Sequence, residues 1–359
     1  MFSKAHYPDI LMPEDLDLYL ADGWFRWGQS IFTTSFLSFN SQFYRAIWLR
    51  VVLSDFNDDK TYKKLSRLNN SFRVEVQKAS ITPEKEELFQ LYKKGITFKV
   101  SESLEALLFG TDQKRIYDTH EVCIYDNEKL IACGFFDMGK DSAAGINSFY
   151  NHEYKKYSPG KYIIYSKMMY CKNLGLQYFY PGYFAPGYSA FNYKLDIGRT
   201  ALEYLDTASE QWLHINTFDS VTGSVSEMRE KLSNLAEHLN AADIDARLLT
   251  YRYFDANLVA DFNGYNLFDY PMFIYCLEFV PEIINPVIVY DFRDQHYHLI
   301  RNMSVGMADK IEDHSTEYSA HLMKPRQVIF SSDNPEMMAN MIASAFRRDV
   351  KAESTKLKA

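Results

Sequence analysis

The chain has 359 residues, of which 47% are hydrophobic, and its 39 Lys and Arg stand against 47 Asp and Glu for a formal net charge of −8. That balance excludes a protein coated overall by nucleic acid and a disordered acidic chain; it leaves room for two or three compact units, on which any positive site is local. No apolar run reaches the roughly 20 residues of a membrane-spanning helix, and the residues after Met1 lack the apolar stretch of a signal peptide, so a cytoplasmic protein with no membrane partner is expected.

In chain order, Pro13 to Leu20 reads as a first helix, followed by strands around Ser30–Phe39 and Ala46–Val52 and a basic helix over Thr61–Asn70. Thr82 precedes Pro83 and two early glutamates, a helix start with its N-cap and dipole-matched acids. A second helix is expected from Ser101 to Phe109. His120–Tyr125 and Leu130–Phe136 are apolar strands joined by the turn Asp126–Lys129, and Gly145–Tyr150 reads as a third strand after the connector Asp137–Asp141. Ser158, Pro159 and Gly175 frame a helix of about four turns, with Ser158 as cap and Ile163, Ile164, Met168, Cys171 and the stem of Lys167 on its core face. Gln177–Tyr183 returns as a strand. Beyond Asp219, Ser224 and Glu227 form a capping box for a helix carrying Val225, Met228, Leu232, Leu235 and Leu239 on one face. Val287–Phe292 and Tyr297–Arg301 make a hairpin, Met337–Arg348 a last helix, and Lys351–Ala359 a frayed tail.

The order helix, helix, three strands, helix, strand belongs to an α/β (α+β) fold. Within it, Ser148-Phe-Tyr150, Ser158-x-Gly160-x-Tyr162, Gly175-Leu176, Tyr178-x-Tyr180-x-Gly182-Tyr183 and Tyr193-Lys194 resemble the C-terminal domain of arginyl-tRNA:protein transferases and their bacterial relatives. More faintly, Gly23-Trp-Phe-Arg26, Phe32 and Tyr44-Arg45 look like the N-terminal domain of that family. The resemblance covers residues 8 to 205. It implies a GNAT-like mixed sheet with flanking helices, preceded by an N-terminal α/β region. The corresponding divisions are 1–80 for the N-terminal domain, 81–218 for the transferase domain, 219–350 for an unrecognised α/β appendage and 351–359 for a flexible tail. It also implies transfer of an amino acid, arginine in the first instance, from an aminoacyl-tRNA to the exposed N-terminal amine of an acceptor protein. No cofactor is required for such a reaction, and nothing in the sequence speaks to oligomeric state.

The family's N-terminal cysteine cluster is replaced here by Ser35-Phe-Leu-Ser-Phe-Asn-Ser-Gln-Phe43. The four cysteines, Cys123, Cys133, Cys171 and Cys276, stand singly in apolar runs. Thiols so placed act as small core hydrophobes, so no metal is expected.

Amine attack on an ester needs a proton acceptor, an oxyanion site and two substrates held in line. The loop Asn151–Tyr157 occupies the place where the family has an acidic pair, which makes Glu153 the candidate general base with His152 as its substitute; both also fit a solvated loop. Lys155, Lys156, Lys161, Lys194 and Arg199 sit in a stretch whose only acid is Asp196, and they are candidates for tRNA phosphates or an acidic acceptor, or ordinary solvated cations. Tyr180, Tyr183 and Tyr188 are candidates for stacking on a base, although tyrosine also fills half-buried strands well. An acyl-CoA-dependent GNAT N-acetyltransferase is the alternative, weakened because the bend Lys155–Tyr162 has one glycine and a proline where backbone N–H groups must reach a pyrophosphate. A non-catalytic relative acting as a binding module is the third reading.

Overall fold

The computed structural model describes the chain except for residues 57–58, 97–99, 111–113, 222, 277–285, 308–315 and 357–359, with side chains up to residue 347. Two compact units result. One joins residues 1–5, 34–45 and 219–359, and the other joins 6–33 and 46–218.

The second unit is built on a mixed sheet of nine strands among the described residues. Its path runs Gln211–His214, Leu202–Asp206, Ile47–Val52, Tyr178–Phe184, Ser142–Gly145, Lys129–Met138, Thr119–Asp126 and Arg73–Lys78, with Phe149–Tyr150 pairing on Lys129–Met138. The stretches before and after residue 80 therefore share one sheet, because Ile47–Val52 lies between Tyr178–Phe184 and Leu202–Asp206. All pairs are antiparallel except Ser142–Gly145 with Tyr178–Phe184, the two strands that the Pro159–Asn173 helix connects. A parallel pair needs such a crossover, since a tight turn cannot reverse the chain twice.

The strand Lys129–Met138 is buried along nearly its whole length, because helices cover both faces. Val122, Ile124, Ile131 and Phe136 pack with Ile163 and Met168 of the Pro159–Asn173 helix. On the opposite face Cys123, Cys133 and Phe135 pack with Leu88 and Phe89 of the Pro83–Lys93 helix and Leu104 and Leu108 of the Leu104–Phe109 helix. Each fully buried large aliphatic or Phe side chain contributes about 1.5–3 kcal/mol of transfer free energy, so the two apolar layers fix the sheet. Thr82 caps the first of these helices by accepting from Lys85 N at 3.4 Å, and Asn127, at φ 52°, makes the turn between Thr119–Asp126 and Lys129–Met138.

Three local expectations need correction. The stretch 145–150 is not one strand: Ser142–Gly145 and Phe149–Tyr150 are separated by a kink, with Ile146 N donating to Phe135 O at 2.9 Å. Gly134 permits it, because a Cβ there would meet Asn147 O at 2.7 Å. Ser158 does not cap its helix through its side chain; it adopts a left-handed φ of 52° after the turn His152–Tyr157, and that conformation carries its hydroxyl away from the first-turn N–H groups. Lys167 is buried to its tip, 1% exposed, rather than by its stem alone. Gly175, at φ 85°, ends the helix as expected, with Leu176 N donating to Cys171 O.

The other unit has, among the described residues, a six-stranded sheet ordered Glu317–Tyr318, Ala246–Tyr251, Met272–Cys276, Val287–Asp291, His296–Met307 and His321–Ser332. The Val225–Ala241 helix lays Met228, Leu232, Leu235 and Leu239 against it, each fully buried. Ser224 accepts from Glu227 N at 3.0 Å, the first half of the capping box that the sequence signals, while the Glu227 carboxylate accepts from Gly223 N rather than from Ser224 N. The Pro335–Lys356 helix runs past Arg348, because no Gly or Pro interrupts residues 349–356. Phe2 and Phe36 join this core, and Phe36–Phe39 and Gln42–Arg45 form a hairpin.

Candidate active site

The ladder between Ser142–Gly145 and Tyr178–Phe184 ends at Ala144 and Tyr180. Past that point the first strand kinks away to pair with Lys129–Met138 at Phe149 and Tyr150, while Tyr178–Phe184 continues to Phe184, paired only on its far side with Trp48 and Ile47. The sheet thus splays between residues 145–148 and 181–184. A register shift between Phe179 and Gly182 marks the same place on the other edge, where Pro181 withholds a ladder donor.

Lys167 forms the floor. Its Nζ donates to Phe135 O at 2.8 Å, to Asn147 O at 2.6 Å and to Ser148 Oγ at 3.4 Å, so it ties the kinked segment to the central strand. Burial pulls its pKa down to about 7. No carboxylate lies within ion-pair distance among the described residues; carbonyl oxygens hold it instead.

Lys194 guards the rim. It lies on the turn Ser189–Asp196, where its Nζ donates to Tyr183 O at 2.8 Å and sits 5.3 Å from the Tyr183 ring centre and 5.2 Å from that of Phe191. Gly182 makes room: its φ is +89°, and a Cβ would stand 3.2 Å from that nitrogen and 3.5 Å from the Phe25 ring. Trp48 completes the wall, edge-on to Tyr183 at 5.3 Å. Burial pulls the Lys194 pKa to about 7 as well, since rings and one carbonyl solvate an ammonium less well than water.

The other candidates distribute unevenly. Lys161 reaches Asp196 at 3.5 Å on the same side as Lys194's turn, and Arg199 is exposed two residues past Ile197. Lys155 and Lys156 are exposed on His152–Tyr157, Lys156 lying 5.0 Å from the Tyr157 ring centre. Glu153 is exposed, 3.6 Å from Lys129, and accepts from Asn151 Nδ2 at 3.1 Å. His152 is half-buried: its ring stacks on Tyr92 at 5.4 Å with 3° between planes, its Nε2 is 3.0 Å from Tyr92 O, and Tyr150 lies 5.4 Å away. Tyr150 in turn lies against Gly160 at the helix entrance. Tyr183 and Tyr188 flank Phe191 at 5.4 Å each. Tyr180 is 3% exposed, packed edge-on to Trp212 at 5.7 Å, with its pKa pushed to about 12 by burial. A ring enclosed in this way offers no open face for a base, which corrects its reading as a stacking residue.

The sequence missed Lys167 as a polar floor and Phe25, Trp48 and Phe191 as walls. Lys167 lies on the core face of an otherwise apolar helix, and that placement was the available signal. The sequence also treated Cys123 and Cys133 as isolated, whereas they are register partners on adjacent strands with sulfurs 3.7 Å apart. Glu121 stands beside them, the three ligand atoms lying within 4.8 Å of one another. The Glu121 carboxylate is already bonded to Lys85 Nζ at 2.6 Å and Gln77 Nε2 at 2.8 Å, so the group is satisfied without an ion. No helix among the described residues is long and apolar enough to cross a membrane.

Residues 82–203 match the family described as arginine-tRNA-protein transferase, C terminus. The chain is 27% identical over 193 residues to an aspartate/glutamate leucyltransferase of Leptospira interrogans, covering 52% of this chain and 74% of the relative. It is 27% identical over 183 residues to the enzyme of the same name in Helicobacter hepaticus, covering 49% and 73%. Among solved structures, the C-terminal domain of a putative lysylphosphatidylglycerol synthetase from Agrobacterium fabrum aligns over 39% of this chain and 47% of its own, at 16% identity and a TM-score of 0.31, too weak a likeness to weigh in the argument. The resemblance read from the tyrosine and glycine motifs therefore holds.

Proposed function

We propose that this chain of the aminoacyl-tRNA:protein transferase family moves leucine from leucyl-tRNA to the N-terminal amine of an acceptor protein that begins with Asp or Glu. The observation that carries the reading is the Lys194 ammonium, held by rings and a carbonyl and paired with no carboxylate among the described residues. A cation so placed gains most from a carboxylate that arrives with the substrate. The similar proteins of Leptospira interrogans and Helicobacter hepaticus, named aspartate/glutamate leucyltransferases, support both leucine and the two acidic acceptors.

The choice of leucine over arginine follows from the lining. A guanidinium would need a carboxylate, yet Asp196 is engaged with Lys161, and Phe25, Trp48, Tyr183 and Phe191 form an apolar wall suited to an isobutyl group. In this reading residues 81–218, completed by the strand Ile47–Val52, are the transferase domain with a GNAT-like splayed sheet. Residues 1–80 do not stand apart as one domain: 6–33 and 46–80 belong with the transferase domain, and 1–5 and 34–45 belong with the appendage of residues 219–359.

The reaction forms an amide C–N bond and breaks the ester C–O bond to the ribose. His152 accepts the proton of the incoming ammonium and returns one to the departing ribose oxygen, a role better suited to its half-buried place beside the helix entrance than to exposed Glu153. Backbone N–H groups where the ladder has ended hold the oxyanion. Lys155, Lys156 and Lys161 meet phosphates of the acceptor end, and Tyr183 and Tyr188 offer rings to its terminal bases.

The test crosses leucyl-tRNA and arginyl-tRNA with peptides beginning Asp, Glu, Lys or Ala, read by mass. Leucine on the Asp and Glu peptides alone is expected. Arginine in its place would overturn the donor assignment, and silence throughout would overturn the enzyme.

A further inference from the structure

The Lys60–Leu68 helix carries Lys60, Lys63, Lys64 and Arg67 at i, i+3, i+4 and i+7, the spacing of one helical face, and all four are exposed. They line a shallow concavity with Leu68. The opposite face is the one that packs: Leu65 is buried, and Tyr62 stacks on Tyr165 at 6.0 Å.

This arrangement works against the helix that bears it. Like charges three and four residues apart repel, and lysines in the first turns oppose the positive end of the dipole. Asp59 caps the helix through Tyr62 N at 2.8 Å, but Lys60, Lys64 and Arg67 form no ion pair within 4 Å among the described residues. Four cations on a nine-residue helix of a chain with net charge −8 are thus concentrated at a cost to the helix.

We propose that this face is a docking surface for the phosphate backbone of tRNA, distinct from the splayed strands; the proposal rests on the tRNA-dependent reading above. Two features favour RNA over a protein partner. The stripe is mostly lysine with no aromatic among its four cations, whereas protein interfaces are depleted in Lys and anchored by Tyr, Trp and Arg. From Lys60 to Arg67 the face spans about 10 Å of helix axis, a length on the scale of neighbouring phosphates. The stripe also leads to the active-site loop: Asn69, one residue past the helix, donates through Nδ2 to Tyr157 O at 2.9 Å, beside exposed Lys155 and Lys156. A tRNA laid along the helix has a basic path to the helix entrance.

The test measures binding of deacylated tRNA to the full chain between 50 and 200 mM salt, for the wild type and for the combined Lys60→Gln, Lys64→Gln, Arg67→Gln variant. With each lost phosphate contact lowering the slope of log affinity on log salt by about 0.9 on a duplex, the variant is expected to lose roughly two to three units of slope and at least tenfold in affinity at 50 mM salt. A Lys60→Arg, Lys64→Arg variant is expected to bind as the wild type does, which separates charge from helix integrity. Equal slopes in wild type and Gln variant would overturn the surface while leaving the transferase reading intact. No tRNA binding by the wild type would overturn both. Loss of binding to anionic phospholipid vesicles, with tRNA binding unchanged, would overturn the surface in favour of a membrane.

Discussion

The two units treat buried charge differently. In the unit that contains residues 219–359, Asp291 accepts from Arg293 and from Tyr270 Oη at 3.0 Å, and Asp269 accepts from the N–H groups of Phe2 and Ser3. Among the described residues Asp291 is thus paired with a cation, and Asp269 is held by backbone N–H groups. In the unit of residues 6–33 and 46–218, two pairs are matched likewise, Arg26 with Asp137 at 2.8 Å and Lys85 with Glu121 at 2.6 Å, but Lys167 and Lys194 are held by carbonyls and rings. Paired charge serves the fold, whereas an ammonium withdrawn from water without a carboxylate is costly to keep, and two, the buried Lys167 and the half-buried Lys194, flank the place where the strands part.

Breaking the comparison on its matched side should give the largest effects. Arg26→Met leaves Asp137, 1% exposed, without its cation; a loss of about 3–5 kcal/mol in chemical denaturation is expected, and a loss under 1 kcal/mol would show that the pair is not structural. Leu232→Ala in the other unit should cost about 2–5 kcal/mol through the cavity it leaves, while transfer at temperatures where that unit stays folded remains as in the wild type. A collapse of kcat without loss of structure would tie that unit to the chemistry.

The unmatched side is sharpened by pH. A lysine whose folded pKa is depressed binds fewer protons folded than unfolded between about pH 7 and its ordinary value, so stability rises with pH across that window. The slope of melting temperature between pH 7 and 9 should flatten in Lys167→Met; an unchanged slope would mean that Lys167 keeps its proton. Smallest of all is Glu153→Gln, for which unchanged kcat is expected beside a large loss in His152→Asn. The reverse result would return the proton to Glu153.

The sequence made the helices and most strands of the unit of residues 6–33 and 46–218 legible, because a cap such as Thr82 and the left-handed Gly175 are local signals. The kink at 146–148 was not legible, since it depends on Gly134 across a strand pairing twelve or more residues away. Lys194 was singled out for its charge, and the rings beside it, Tyr183 and Phe191, are its neighbours in the chain; what the sequence could not show is Trp48, which lies more than 140 residues before Lys194 and backs Tyr183. The cysteine pair failed for the same reason: Cys123 and Cys133 meet only through strand register.

The most direct measurement is the KM for an Asp-starting peptide across pH 6 to 9, in the wild type and in Lys194→Met. With a lysine that titrates near 7 receiving the acceptor's carboxylate, KM should rise toward tenfold per unit above that pH, and the variant should show a KM about 10- to 150-fold higher at pH 6 with no such rise, from the loss of about 1.5–3 kcal/mol of charged hydrogen bonding. A wild-type KM that stays flat across this range, or a variant that binds the peptide as well as the wild type, would contradict the account.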